Sequence, residues 1–168
     1  IKSVFLFSIL VLLLPNYSSA QSSQSEYAKE IAKGLKLRGI GPAVMGGRIA
    51  DIAVSPTNSS TWYVAVGSGG LWKTINRGIT WTPIFDQQPS YSIGTVTIDP
   101  NNSEVIWVGT GENVSGRHVG WGDGVYKSMD GGATWKQMGL AKSEHIGKIL
   151  IDPRNSDVAY VAAEGPLW

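Results

Sequence analysis

The sequence predicts an all-β fold: a β-propeller of four-stranded blades, with about two and a half blades present and the ring incomplete. One pattern occurs three times, as IADIAVSPTNSSTWYVAVG from Ile49, IGTVTIDPNNSEVIWVGTG from Ile93 and IGKILIDPRNSDVAYVAAEG from Ile146. Each copy is an apolar or alternating run, an Asn/Ser-rich turn containing Pro56, Pro100 or Pro153, and a second β-rich run, which together read as a hairpin. The prolines are 44 and 53 residues apart, in the range of propeller blades. Glycine adds a third observation: 21 of 168 residues is nearly twice the usual share of about 7%, as many tight turns between short strands require.

The elements follow in chain order. Residues 1–20 read IKSVFLFSILVLLLPNYSSA, with Lys2 ahead of an apolar run from Val4 to Leu14 and small residues at Ser18 and Ala20. This is the pattern of a secretory signal peptide. Its apolar run of 11 residues falls well short of the roughly 20 that a spanning helix needs, so no stable membrane span is expected after cleavage. Residues 21–34 are Ser/Gln-rich and then weakly helical through YAKEIAK, and read as a leader. The propeller segment is assigned to 35–168, with a possible strand at 35–40 that belongs to a closing blade. Blade one takes strands near 49–54, 62–67, 70–74 and 80–84; blade two takes 93–98, 105–110, 124–128 and 134–138; blade three contributes 146–151 and 158–163.

Composition narrows the function classes. Fourteen Lys and Arg against 13 Asp and Glu give a formal charge of +1, with no basic surplus for a nucleic-acid partner. Cysteine is absent, so no disulfide and no thiolate metal site is available, and no His, Asp or Glu spacing matches a known ligand set. No metal and no cofactor is expected.

Between the hairpins lie TINRGITW and SMDGGATW, both of the form S/T-x-D/N-x-G-x-T-W: Thr74, Asn76, Gly78, Thr80 and Trp81, then Ser128, Asp130, Gly132, Thr134 and Trp135. The Asn or Asp side chain folds back onto backbone N–H groups of a tight turn, the glycine supplies backbone freedom, and the tryptophan re-enters a strand to bury its ring. Trp72, Trp81, Trp107 and Trp135 recur at blade positions and are expected in the core.

With two such boxes in register with three hairpins, the chain resembles Asp-box, or bacterial neuraminidase repeat, β-propellers over about residues 40–168. GPAVMGGRIADIAVSP, SGGLWKT, DPNNSEVIWVGTGE, GDGVYKSMDGGATW and SEHIGKILIDP are similar to exported bacterial proteins described as sortilin-like or glycosyl-hydrolase-like. The resemblance implies the N-terminal part of a longer propeller. Sialidases of this kind use an arginine cluster, an acid and a tyrosine nucleophile, of which Arg48 and Tyr91 are the only partial match. In xyloglucan-degrading hydrolases an aspartate precedes a Gly-Gly pair in the first blade; the comparable AVGSGGLW has Gly67 there, so that catalytic residue is not carried over.

Strand alternation places both boxes on one face with the proline turns. The opposite face then carries the variable loops at 68–70, 87–92, 111–124 and 139–145, the third of them lengthened by about ten residues. Loops on a rigid scaffold are where binding usually resides. Candidate ligand contacts there are Arg48, Tyr91, Glu112, Arg117, His118, Trp121, Asp123, Glu144 and His145. Glu112 and Asp123 could serve as acid and base on a glycosidic bond, or else cap Gly-rich turns with Arg117 paired to one of them. His118 and His145 read as solvated loop residues, and Trp121 as either a stacking surface or a loop anchor. The expected function is an exported propeller that binds a peptide, protein or glycan. A glycoside hydrolase with its catalytic residues mostly in other blades is the alternative. A structural or assembly factor, resembling exported propellers that assist photosystem assembly, comes next.

Overall fold

The computed structural model describes residues 29, 33, 47–114 and 119–166. The chain divides after Gly41; of the first unit only Lys29 and Lys33, both helical and exposed, are described, and the architecture below is that of the second. The proposed signal peptide, the strand at 35–40, Arg117 and His118 lie outside the described residues.

Ten strands form three antiparallel sheets. The first orders β1 (Ile49–Val54), β2 (Trp62–Val66), β3 (Gly70–Thr74) and β4 (Thr82–Pro83) side by side. The second repeats this with β5 (Ile93–Asp99), β6 (Asn102–Thr110), β7 (Val125–Ser128) and β8 (Lys136–Gly139), and the third holds β9 (Ile146–Asp152) and β10 (Asn155–Ala163). These are two four-stranded blades and a third hairpin, an open arc of a β-propeller.

The repeat is visible in single bonds. Gly67 N–H donates to Arg48 C=O at 2.8 Å, Gly111 N–H to Ser92 C=O at 2.8 Å and Glu164 N–H to His145 C=O at 2.9 Å, each closing the top of a first hairpin. Period-2 alternation then sends Val96, Ile98, Ile106, Val108 and Tyr126 toward blade one, against Tyr63, Ala65, Leu71 and Phe85. The other face of blade two presents Val105, Trp107 and Val125 to Ile146, Ile149 and Ile151. Each such aliphatic side chain, fully buried, contributes about 1.5–3 kcal/mol, so packing between blades is the main support of the arc.

Both box turns are built alike. Ser128 Oγ accepts from the N–H groups of Asp130 (3.2 Å) and Gly132 (2.8 Å) and donates to Asp130 Oδ1 (2.7 Å), which also accepts Thr134 N–H at 2.8 Å. Thr74 and Asn76 repeat these bonds to Gly78 and Thr80, and both glycines have φ near +90°, at 87° and 93°. The Thr hydroxyl differs: Thr134 donates to Asp130 Oδ2, whereas Thr80 accepts from Asn76 Nδ2, because an amide has a donor where a carboxylate has none. Since Thr80 and Thr134 are spent in the turns, β4 and β8 start later than the alternation predicts. Pro83, which has no N–H, sits at the end of β4.

Trp135 packs back onto the preceding blade, donating Nε1–H to Ile84 C=O at 2.8 Å and resting edge-on against Phe85. Trp81 is a correction to the core expectation: it is 38% exposed. Its counterpart uses Ile84 and Phe85 of an earlier blade, and no blade precedes β1 among the described residues. Ile52 and Val54 of β1 are exposed for the same reason, as are Leu150 and Tyr160 on the far side of β9 and β10.

Candidate functional site

The box turns and the proline turns share one end of the sheets, and the loops entering β1, β5 and β9, leaving β2 and β6, and entering β3 and β7 share the other. On this second end, Tyr91 and Trp121 flank a cleft of about 220 Å³ floored by Pro89, Ser90, Gly122 and Asp123. Both rings lie open to solvent, Tyr91 at 65% and Trp121 at 72%.

The backbone beneath Trp121 is held from several directions. Gly120 C=O accepts from Glu112 N–H (3.0 Å) and lies 3.0 Å from Ser92 Oγ, whose proton goes to Gly67 C=O at 2.6 Å, and Gly120 N–H donates to Glu112 Oε2 (2.9 Å). Trp121 C=O accepts from Ser90 Oγ at 3.0 Å, and Gly122 N–H donates to Glu144 C=O at 2.7 Å. Glu144 reaches that geometry with φ of 60°, a left-handed conformation rare for a side chain of this size. Tyr91 is tied through its carbonyl, which accepts Gly70 N–H at 2.8 Å. An apolar ring left in water on so fixed a backbone loses little entropy when something stacks on it.

The carboxylates are less available than the sequence suggests. Glu112 is 3% exposed, with Oε1 paired to Arg48 Nη2 at 2.7 Å and Oε2 on Gly120 N–H. Asp123 Oδ2 accepts from the Tyr126 hydroxyl at 2.5 Å, while Thr110 Oγ1, 3.2 Å from Oδ1, donates to Gly124 C=O at 2.8 Å. Burial and then the Asp123 carboxylate push the Tyr126 phenol well above its ordinary value, so it remains a donor throughout the usual pH range.

Two candidate contacts are therefore corrected. Glu112 does not open to the cleft, and among the described residues its cation is Arg48. His145 is buried at 2% exposure instead of solvated, as Ser92 is at the same strand-entry position of the second repeat, whereas Arg48 in the first is exposed; its Nδ1 has no hydrogen-bond partner among the described residues. Arg48, Tyr91, Trp121, Asp123 and Glu144 all lie on the loop end. Sequence reasoning missed Ser92 and Glu164, which aligning the three repeats would have exposed: Ser92 stands beside Arg48 and His145, and Glu164 replaces Gly67 and Gly111. Among the described residues, no group of three or more His, Cys, Asp or Glu is placed to hold a metal ion. None of the described helical residues belongs to a helix long and apolar enough to cross a membrane.

The fold defines a class, the β-propellers, and the similarities relate it to glycosidases of that fold. No protein-family model matches the chain. It is 25% identical over 136 residues to a xyloglucanase of Hypocrea jecorina, covering 71% of this chain and 15% of that protein. It is 29% identical over 118 residues to the xyloglucanase Xgh74A of Acetivibrio thermocellus, covering 56% of this chain and 14% of that protein. The crystal structure of the GH74 enzyme of Niastella koreensis superposes with a TM-score of 0.54 at 29% identity, over 68% of this chain and 17% of that one. An ancestral GH74 enzyme gives the same TM-score at 21% identity, over 68% of this chain and 16% of that one, a likeness of fold alone. The chain thus spans about one seventh of the length of these xyloglucanases.

Proposed function

We propose that the loop face of this propeller binds a glycan chain, with Tyr91 and Trp121 as its stacking surface, and that this part of the molecule binds rather than cleaves. The observation that carries the reading is an exposed indole on residues 120–122, whose backbone is pinned by hydrogen bonds from the Ser90–Ser92, Glu112 and Glu144 segments. The similarity to xyloglucanases supports a neutral β-glucan of the xyloglucan type as the ligand class. Within this reading the two box turns are Asp boxes acting as scaffold, residues 1–20 direct export, and the wider likeness is to sortilin-like exported propellers.

Hydrolysis of a glycosidic bond asks for two carboxyl groups flanking it. Here both oxygens of Glu112 and Oδ2 of Asp123 are engaged within the protein, and Gly67 stands where the resemblance would place a carboxylate. Binding needs neither group free. Electrophoresis of the full chain through gels containing xyloglucan tests this, with reducing-end release measured on the same samples. The wild type should be retarded without releasing sugar, and Trp121→Ala should be retarded markedly less, with its melting temperature unchanged. Equal retardation of the wild type and the Trp121→Ala and Tyr91→Ala variants would refute it; sugar release would favour the hydrolase.

A further inference from the structure

We propose that Glu112 is a positioning residue that sets Trp121 for its ligand, acting through Gly120 and anchored by Arg48; this rests on the glycan-binding reading above. A charged side chain buried to 3% exposure on a loop face calls for an explanation, since unpaired burial of a carboxylate is costly. Glu112 clasps Gly120 at two points, through its own N–H to Gly120 C=O and through Oε2 to Gly120 N–H, so the residue before Trp121 has both backbone groups fixed. Its other oxygen takes the Arg48 guanidinium, which ties the inserted loop of blade two to the start of β1 in blade one.

A Cβ on Gly67 would lie 2.3 Å from Glu112 Oε1 and 2.7 Å from its Cγ, so the absence of a side chain at 67 is what admits the carboxylate. Ser92 Oγ meets both Gly67 C=O (2.6 Å) and Gly120 C=O (3.0 Å), closing the ring of contacts around it. Glutamine at 112 has one acceptor where glutamate has two, and the charged Arg48 guanidinium takes it, which leaves Gly120 N–H facing the carboxamide –NH2 with no acceptor.

The test is a double-mutant cycle on xyloglucan affinity with Glu112→Gln, Trp121→Ala and the pair, in the full chain, with amide exchange read in parallel. Glu112→Gln should weaken binding about tenfold, and adding it to Trp121→Ala should weaken binding no further, because its effect passes through the ring. Independent, additive losses would overturn the proposal. The Gly120 amide should exchange at least a hundredfold faster in Glu112→Gln; unchanged protection would overturn the proposal even if xyloglucan is not the ligand, whereas faster exchange without binding would sink only the glycan reading. Should Glu112→Gln fail to fold, Gly67→Ala displaces the same carboxylate while keeping every polar group, and the same outcomes apply.

Discussion

Phe85 joins the core to the loop carrying Tyr91, and truncating it has a calculable consequence. The ring is 2% exposed, lies just after β4, and meets Tyr126 edge-on at 5.2 Å and 88° and Trp135 at 5.1 Å and 76°. Both partners belong to the second blade, so Phe85 is the aromatic contact between blades. Phe→Ala in a core costs about 3–5 kcal/mol, within which two edge contacts account for about 0.5–1.5 kcal/mol each. The void would be walled by two sheets whose registers are fixed by backbone ladders, which limits collapse and puts the expected loss near 4 kcal/mol. A domain has about 5–15 kcal/mol in all. In urea unfolding, with a slope of about 1–3 kcal/mol/M, the midpoint of Phe85→Ala should fall by about 2 M, while Phe85→Leu, which keeps most of the apolar volume but neither edge contact, should lose about 1–3 kcal/mol. Phe85 C=O also accepts Gln88 N–H at 3.0 Å, so the loop carrying Tyr91 should loosen as well. A loss below about 1 kcal/mol for Phe85→Ala would refute the packing of blade one on blade two.

Further outcomes follow from the polar contacts. The Thr134 hydroxyl, the Thr134 N–H and the Ser128 hydroxyl hold the Asp130 carboxyl down at about 2, below its unfolded value near 3.9. Its contribution is therefore complete above about pH 4 and is lost as pH falls toward 2; Asp130→Asn should flatten that acid limb in thermal melts, and an unchanged limb would contradict the assignment. Tyr126→Phe removes the hydroxyl that donates to Asp123 and should cost about 1.5–2 kcal/mol in urea, while leaving the exposed rings in place. Asp51 Oδ2 gathers Thr95 Oγ1 at 2.7 Å, Val96 N–H at 3.2 Å and Lys148 Nζ at 2.7 Å, one bond set across three inner strands. Burial pushes this carboxyl up, but those three donors outweigh it and hold it below the ordinary range. Since Lys148 is half exposed, Asp51→Asn should cost only about 1 kcal/mol, measured by the same denaturation.

Most of the strand plan was legible because it rests on short-range signals. Alternation and proline turns placed β1, β2, β5, β6, β9 and β10, and the S/T-x-D/N-x-G-x-T-W turns placed the link between third and fourth strands. The face map followed from counting antiparallel reversals, and Tyr91 and Trp121 could be assigned to the loop end. What stayed hidden depends on space supplied from elsewhere in the chain. Nothing near Glu112 reveals that Gly67, 45 residues earlier, leaves room for its carboxylate, or that Arg48 completes the pair. His145 reads as polar loop, yet it lies inside, while Arg48 at the same repeat position stands in solvent. Trp81 carries the same local signal as Trp135, and the difference lies wholly in which blade stands behind it.

Amide hydrogen exchange at Gly120 and Gly122 in the ligand-free chain tests most directly whether the backbone beneath Trp121 is fixed before any glycan arrives. Both N–H groups donate within the protein, at 2.9 Å to Glu112 Oε2 and 2.7 Å to Glu144 C=O. They should be protected to a degree comparable with the strand amides of β6 and β7, although they lie in a loop. Exchange at the rate of an open loop would contradict a preformed binding face.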